Sequence, residues 1–222
     1  MATRPHRANG FLVPPAVLAV LTDAQRQGLI GSGPLAPHVG HSLGFAEVLT
    51  EMRGQALGPQ DHVVDLGSGG GLPGLVLAAR FPGVRFSFIE GSTRRAAFLE
   101  EAVVRCQLEG QVEVVAVRAE MAGRDPALRS RCTAVVSRAF GSPGETAECG
   151  SPFLGPGGLL VVSEPPEPRG EAGWPPDGLA LLGLAPIAEK PVVEGFVVFR
   201  QAETCPDRYP RRTGIPRKRP LF

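Results

Sequence analysis

The chain is poor in the residues from which metal and redox centres are built. Four cysteines occur among 222 residues: Cys106, Cys132, Cys149 and Cys205. None forms a C-x-x-C pair, and no histidine stands at ligand spacing from any of them. That pattern argues against a zinc site and a disulfide framework, so the cysteines are expected as small buried hydrophobes and no metal is expected. No apolar run approaches the ~20 residues that a membrane-spanning helix needs, so no membrane partner is expected. Arg4, His6 and Arg7 precede an apolar stretch, but Pro14-Pro15 cuts it and no small-residue cleavage site follows. A signal peptide is not expected on that pattern, and the expected location is the cytoplasm. Charge is modest as well: 20% of residues are charged against 43% apolar, the balance of a folded globular chain rather than a disordered one. The length suits one substantial domain with a short appendage.

The net charge of +1 hides a segregation. Residues 208–222 carry Arg208, Arg211, Arg212, Arg217, Lys218 and Arg219 and no acid. The remainder has 17 basic against 22 acidic residues, so a −5 body bears a +6 end. Such a basic end points to an anionic partner; its bland alternative is a disordered, solubilising tail.

Residues 14 to about 54 read as two helices, the first ending near Ile30 at the break Gly31-Ser32-Gly33-Pro34. From 61 to 163 strand and helix patterns alternate. Strands are expected over 61–66, 84–89, 112–117, 133–138 and 159–163, with helices over 72–80, 92–108 and 143–154. Repeated β-α-β units of this kind mean a mostly parallel sheet with helices on both faces. After a Pro-rich loop and a short helix over 177–183, strands near 184–190 and 195–200 lie too close for a parallel crossover and are expected to form an antiparallel hairpin.

The most informative stretch is Asp65-Leu66-Gly67-Ser68-Gly69-Gly70-Gly71-Leu72-Pro73-Gly74, which joins the first strand to the next helix. Missing side chains let a ligand approach the backbone, and a helix N-terminus offers unpaired N–H groups to an anion. Glu90 ends the following strand, where an acid can accept both hydroxyls of a ribose. Gly69-x-Gly71-x-x-Gly74 also matches the dinucleotide pattern G-x-G-x-x-G, so the pattern alone does not separate the two cofactors. Three features favour S-adenosylmethionine (SAM): Asp65 at the strand end before the glycine run, the helical segment before the first strand, and the C-terminal hairpin. On this reading Asp65, Gly69 and Glu90 are cofactor residues, with Asp65 orienting the loop or accepting from the ammonium.

Taken together, these positions resemble the glucose-inhibited division protein B family, the RsmG-type methyltransferases of 16S ribosomal RNA. The resemblance covers about residue 38 to the end. It rests on the loop with its Leu72-Pro73-Gly74 finish, Glu90 followed by Arg94-Arg95 and Phe98-Leu99, Arg118-Ala119-Glu120, Ser137-Arg138-Ala139-Phe140, and the basic ending from Arg208 to Leu221. It implies a class I SAM-dependent methyltransferase (Rossmann-like) α/β fold. It further implies cofactor contacts at Gly67, Leu72, Ala119, Glu120 and Arg138, and a 16S rRNA or small-subunit precursor as partner. The expected organisation is a helical segment over 1–57, a SAM-binding domain over 58–203 and a basic RNA-binding tail over 204–222. Two departures stand out. His41 occupies the place of the Asp in the family's His-x-x-Asp-Ser-Leu element, and Ser163-Glu164 replaces a Lys-Gly.

The implied reaction is methylation of a guanine N7. That atom has a lone pair and no proton, so no general base is required and no catalytic side chain is expected. The alternatives are a related methyltransferase with another RNA or a small-molecule substrate, and a non-catalytic RNA-binding protein of the same fold. Cytosine C5 chemistry would need a nucleophilic cysteine, and none has the expected setting.

Overall fold

A computed structural model describes residues 7–8, 11–165, 173–187, 192–193 and 195–222. A two-residue ribbon, β1 (Arg7–Ala8) with β2 (Phe11–Leu12), leads into helices α1 (Pro15–Arg26) and α2 (Leu35–Arg53). The alternating region follows: β3 (His62–Leu66), α3 (Gly74–Arg80), β4 (Arg85–Ile89), α4 (Thr93–Arg105), β5 (Val112–Val115), α5 (Ala119–Ala122), β6 (Cys132–Ser137), α6 (Pro143–Gly150) and β7 (Leu154–Ser163). The C-terminal part holds α7 (Pro176–Ala180), β8 (Leu184–Pro186), β9 (Val192–Val193), β10 (Phe196–Gln201) and α8 (Ile215–Lys218).

The strands lie in the order β5-β4-β3-β6-β7-β10-β8, with β9 also on β10. The first five are parallel, and β10 is antiparallel to both β7 and β8. This is the expected parallel sheet closed by an antiparallel hairpin; residues 188–190 of the expected strand lie outside the described residues. Strand β3 is buried along its whole length, as a central parallel strand covered on both faces must be.

Alternation along the strands divides the apolar residues between two cores. Val63, Phe86 and Val161 face α1 to α4, where Val17, Leu21, Leu43 and Leu77 meet them. Val64, Val135 and Leu160 face the other way, toward Ala147, Leu179 and Tyr209. The N-terminal helices and the C-terminal tail thus share the cores of the sheet. Three cysteines are buried and Cys106 is half-buried, all as free thiols.

Several boundaries differ from expectation, three of them with an evident cause. Helix α1 ends at Arg26 rather than near Ile30, because Gly28 and Leu29 turn back to bond Gln25 O and Ala24 O. Helix α6 stops at Gly150 and tightens into a 3₁₀ turn over Ser151–Phe153, which contains a proline. Strand β7 starts at Leu154 because Gly155 to Gly158 form an irregular stretch of strand, the pairing with β6 jumping from Cys132↔Leu154 to Ala134↔Leu159.

Phe45 of α2 is fully buried between the helices and the sheet. Phe45→Ala should remove about 3–5 kcal/mol of stability. Denaturant melts should keep one transition; a separate early transition would mean that α1 and α2 unfold on their own.

Candidate active site

The chain runs from β3 outward through β4 to β5, then returns to place β6 on the other side of β3. A parallel sheet that reverses direction in this way leaves a crevice at the carboxyl ends of its two central strands. Leu66 pairs with Ile89 on one side and Ser137 on the other, so Gly67, Glu90 and Arg138 stand side by side just beyond the paired ends.

The glycine loop is fixed from beneath. Asp65 Oδ2 accepts the Gly74 N–H at 2.9 Å, and the Ser68 hydroxyl donates to Asp65 O. Asp65 is 1% exposed, and burial pushes its carboxyl up to about 7. A Cβ at residue 74 would collide with Asp65 Oδ2 and the Phe88 ring, so only glycine lets the helix start this close to the carboxyl. Asp65 therefore orients the loop from behind. The alternative role, accepting from a bound ammonium, would fall to Asp65 Oδ1, which is buried with no hydrogen-bond partner.

Above the loop, Glu90 Oε2 accepts the Gly69 N–H at 3.0 Å and Oε1 the Ser92 N–H at 2.8 Å. A cavity of about 330 Å³ opens here, and its lining includes Gly67, Glu90, Ala119 and Glu120 from the expected set. Gly67 has φ +76°, and a Cβ there would lie 2.6 Å from Phe140 Cδ2, so the bare backbone is what admits the ring. Gly69 and Leu72 belong to the loop but do not line the cavity, and neither does Arg138. Leu72 instead packs into the core beside α3.

Sequence reading missed Arg118, Phe140 and Glu145 as cavity residues, and it assigned Arg217 only to RNA. Phe140 follows Ala139, a non-glycine residue at φ +54°, a strained turn of the kind that gathers at functional sites. A second cavity of about 210 Å³ shares Ala139 and Phe140 and reaches Thr146, Glu164 and Trp174. Glu164 is 6% exposed and accepts the Trp174 indole N–H at 3.0 Å, so the acid that replaces the family's Lys-Gly is buried rather than turned to solvent.

Electrostatics tie the basic tail to this site. Burial alone would raise the Glu120 pKa, but the Arg118 guanidinium and the Gly214 N–H, the latter 2.7 Å from Oε1, hold it below the usual value. Burial raises Glu145, with Glu120 adding to the effect and Arg217 opposing it. Glu148 is fully buried, and Arg211 meets it with three side-chain hydrogen bonds and one from its backbone N–H. Arg129 donates to the carbonyls of Cys205, Pro206 and Tyr209, and Arg124 to that of Pro210. Arg211 is thus a structural cation, a correction to its expected place among the RNA contacts. Arg208, Arg212, Arg217, Lys218 and Arg219 keep exposed side chains.

On the α2 side, Arg138 Nη2 donates to His38 Nδ1 at 2.7 Å, while Nη1 is buried with no hydrogen-bond partner. His41 stacks on Phe196 with ring centroids 4.7 Å apart and meets Phe45 edge-on. The family's Asp at this position could not fill that aromatic slot.

Comparison with known proteins decides the family. The pattern of the family described as rRNA small subunit methyltransferase G (GidB) matches residues 35–171. The chain belongs to this family. Two relatives named ribosomal RNA small subunit methyltransferase G are each 34% identical: that of Pelotomaculum thermopropionicum over 80% of this chain and 77% of its own, and that of Deinococcus deserti over 80% and 75%. Among solved structures, an O-methyltransferase from Bacillus cereus in complex with SAH is 15% identical with TM-score 0.57 over 84% of this chain and 89% of its own. A methyltransferase from Geobacter sulfurreducens is 16% identical with TM-score 0.57 over 86% and 89%. They show the class I methyltransferase fold. Membership makes the chain a SAM-dependent enzyme, and among the described residues no helix is long and apolar enough to cross a membrane.

Two predictions come from the buried acids. Asp65 takes up its proton more readily folded than unfolded, so stability should fall as pH rises from about 4 to 7 and level off above. Asp65→Asn should flatten that part of the stability–pH curve; an unchanged slope would assign it to other groups. Arg211→Ala would leave Glu148 buried without its cation and should cost about 3–5 kcal/mol, read by thermal unfolding near pH 7. A loss no larger than a surface substitution would mean that the tail is not held there.

Proposed function

We propose that this chain methylates the N7 of a guanine in 16S ribosomal RNA, at the family's target, guanine 527. Its partner on this reading is 16S rRNA, free or in a small-subunit precursor, met in the cytoplasm. The observation that carries the reading is that, in a chain of this family, the bare loop, the Glu90 carboxylate and Arg138, whose Nη1 is buried without a partner, follow the paired ends of three adjacent strands.

The residues present fit SAM. Glu90 uses each oxygen once for a backbone N–H, which leaves acceptor capacity for vicinal hydroxyls. Gly67 presents bare backbone, and Gly69 and Leu72 shape the loop above Asp65. Ala119 and Glu120 form the wall for the adenine. Arg138 directs an N–H donor toward the anionic end of the cofactor. SAM, when bound, supplies an electrophilic methyl group.

Guanine N7 attacks with a lone pair and loses no proton, so the protein needs no acid or base. Its work is to align the base and keep water out. The smaller cavity beyond Phe140 lies next to the cofactor cavity and receives the base, with Phe140 between them. Arg208, Arg212, Arg217, Lys218 and Arg219 neutralise phosphates around it.

The test is methylation mapping of 16S rRNA from a strain lacking the gene, with and without restoration. N7-methylguanosine should vanish at one position and return. A methyl group on another RNA or on a small molecule would reassign the substrate, and SAM binding without turnover would leave a binding protein. Arg138→Ala should lower turnover roughly tenfold or more; unchanged turnover would remove Arg138 from the site.

A further inference from the structure

Arg138 is an unusual cation for its position. Burial lowers its pKa, and among the described residues no carboxylate lies within ion-pair distance of it. A guanidinium has donors only, so His38 must accept through Nδ1 and carry its proton on Nε2. Burial, and after it the Arg138 charge, lowers the pKa of the neighbouring imidazole, His41. Arg138 therefore rests against the His38 imidazole rather than an acid. Its direction is fixed by the bond to His38, and its positive charge is left uncompensated for an incoming anion.

The support for that bond is rigid. His38 sits in the first turns of α2, where its carbonyl accepts the Ser42 hydroxyl at 2.9 Å. One turn on, His41 stacks on Phe196 of β10, and Phe45 closes the stack edge-on with its centroid 4.6 Å from that of Phe196. Nη1 is the terminal guanidinium nitrogen not bonded to His38, and it is buried with no hydrogen-bond partner.

We propose that His38 is the positioning residue for Arg138: its neutral ring holds one guanidinium nitrogen so that the other meets the anionic end of the cofactor. The inference rests on the reading of Arg138 as a cofactor contact and adds the residue that makes that contact competent. In this chain a helix outside the alternating region thereby sets cofactor affinity.

The experiment uses SAM binding by calorimetry on the full chain, with thermal unfolding as a control for folding. Asn carries its oxygen where His carries Nδ1, whereas Gln carries it one bond further out. His38→Ala and His38→Gln should weaken SAM binding roughly tenfold, the scale of one hydrogen bond to a charged group, and His38→Asn should recover most of it. In an Arg138→Ala background the same three substitutions should change SAM binding less than twofold. Equal affinities for His38→Asn and His38→Gln, or a full loss from His38→Ala even without Arg138, would overturn the positioning role. If Arg138→Ala alone leaves SAM binding intact, the cofactor-contact reading itself fails, and that result is distinct from either of the others.

Discussion

The reversal of chain direction at β3 is the constraint on which the rest of the molecule depends. Right-handed crossovers to β4 and to β6 leave on opposite faces, so no connection covers the carboxyl ends of the two central strands. Each neighbouring strand then ends in a residue with a task at the same height: the loop from Gly67, the acid Glu90, the cation Arg138. None of these residues is close to the others in sequence. Parallel pairing in fixed register, with no residue inserted between β3 and β4, is what turns three separate strand ends into one crevice.

Around that crevice the protein buries an unusual number of carboxyls, and each is held differently. Asp65 stays near-neutral beneath the loop and bonds a helix N-terminus. Glu90 is satisfied by two backbone N–H groups, Glu120 by an arginine and a tail N–H, and Glu148 by one arginine. Burying a charge without a partner is far more costly than any of these bonds is favourable. The acids therefore act as fixed posts that determine where loop and tail can lie. On the opposite side of the crevice the reverse holds: Arg138 has the His38 imidazole for company, and the surplus is positive.

Much of this was legible in the sequence. The apolar runs at 61–66, 84–89 and 133–138 announced buried parallel strands, and the four residues between the runs at 184–190 and 195–200 required a hairpin. The loop and Glu90 declared a nucleotide-type cofactor through spacing alone, and the resemblance extended the site to Ala119, Glu120 and Arg138. What could not be read was any interaction whose partners lie far apart. Arg211 looks like every other cation of the tail until Glu148, 63 residues earlier, is found beneath it. His38 bonds a residue 100 positions away, and no periodicity marks it. Phe140 had a signal, since it stands two residues after Arg138 at a strand end, but an aromatic there is equally suited to the core. Helix boundaries moved where a glycine or proline capped earlier than the apolar pattern suggested.

The pinned tail has a consequence for how the protein is made. Residues 205–222 leave the synthesising ribosome after every strand of the sheet, yet they carry the cation for Glu148, an N–H for Glu120 and, in Arg217, part of the lining of the cofactor cavity. A nascent chain can assemble its sheet, but it must hold a bare buried acid until Arg211 emerges. Emergence of this segment and completion of the pocket are then one event, and a chain cut before Arg211 is an unfinished enzyme rather than a slightly trimmed one.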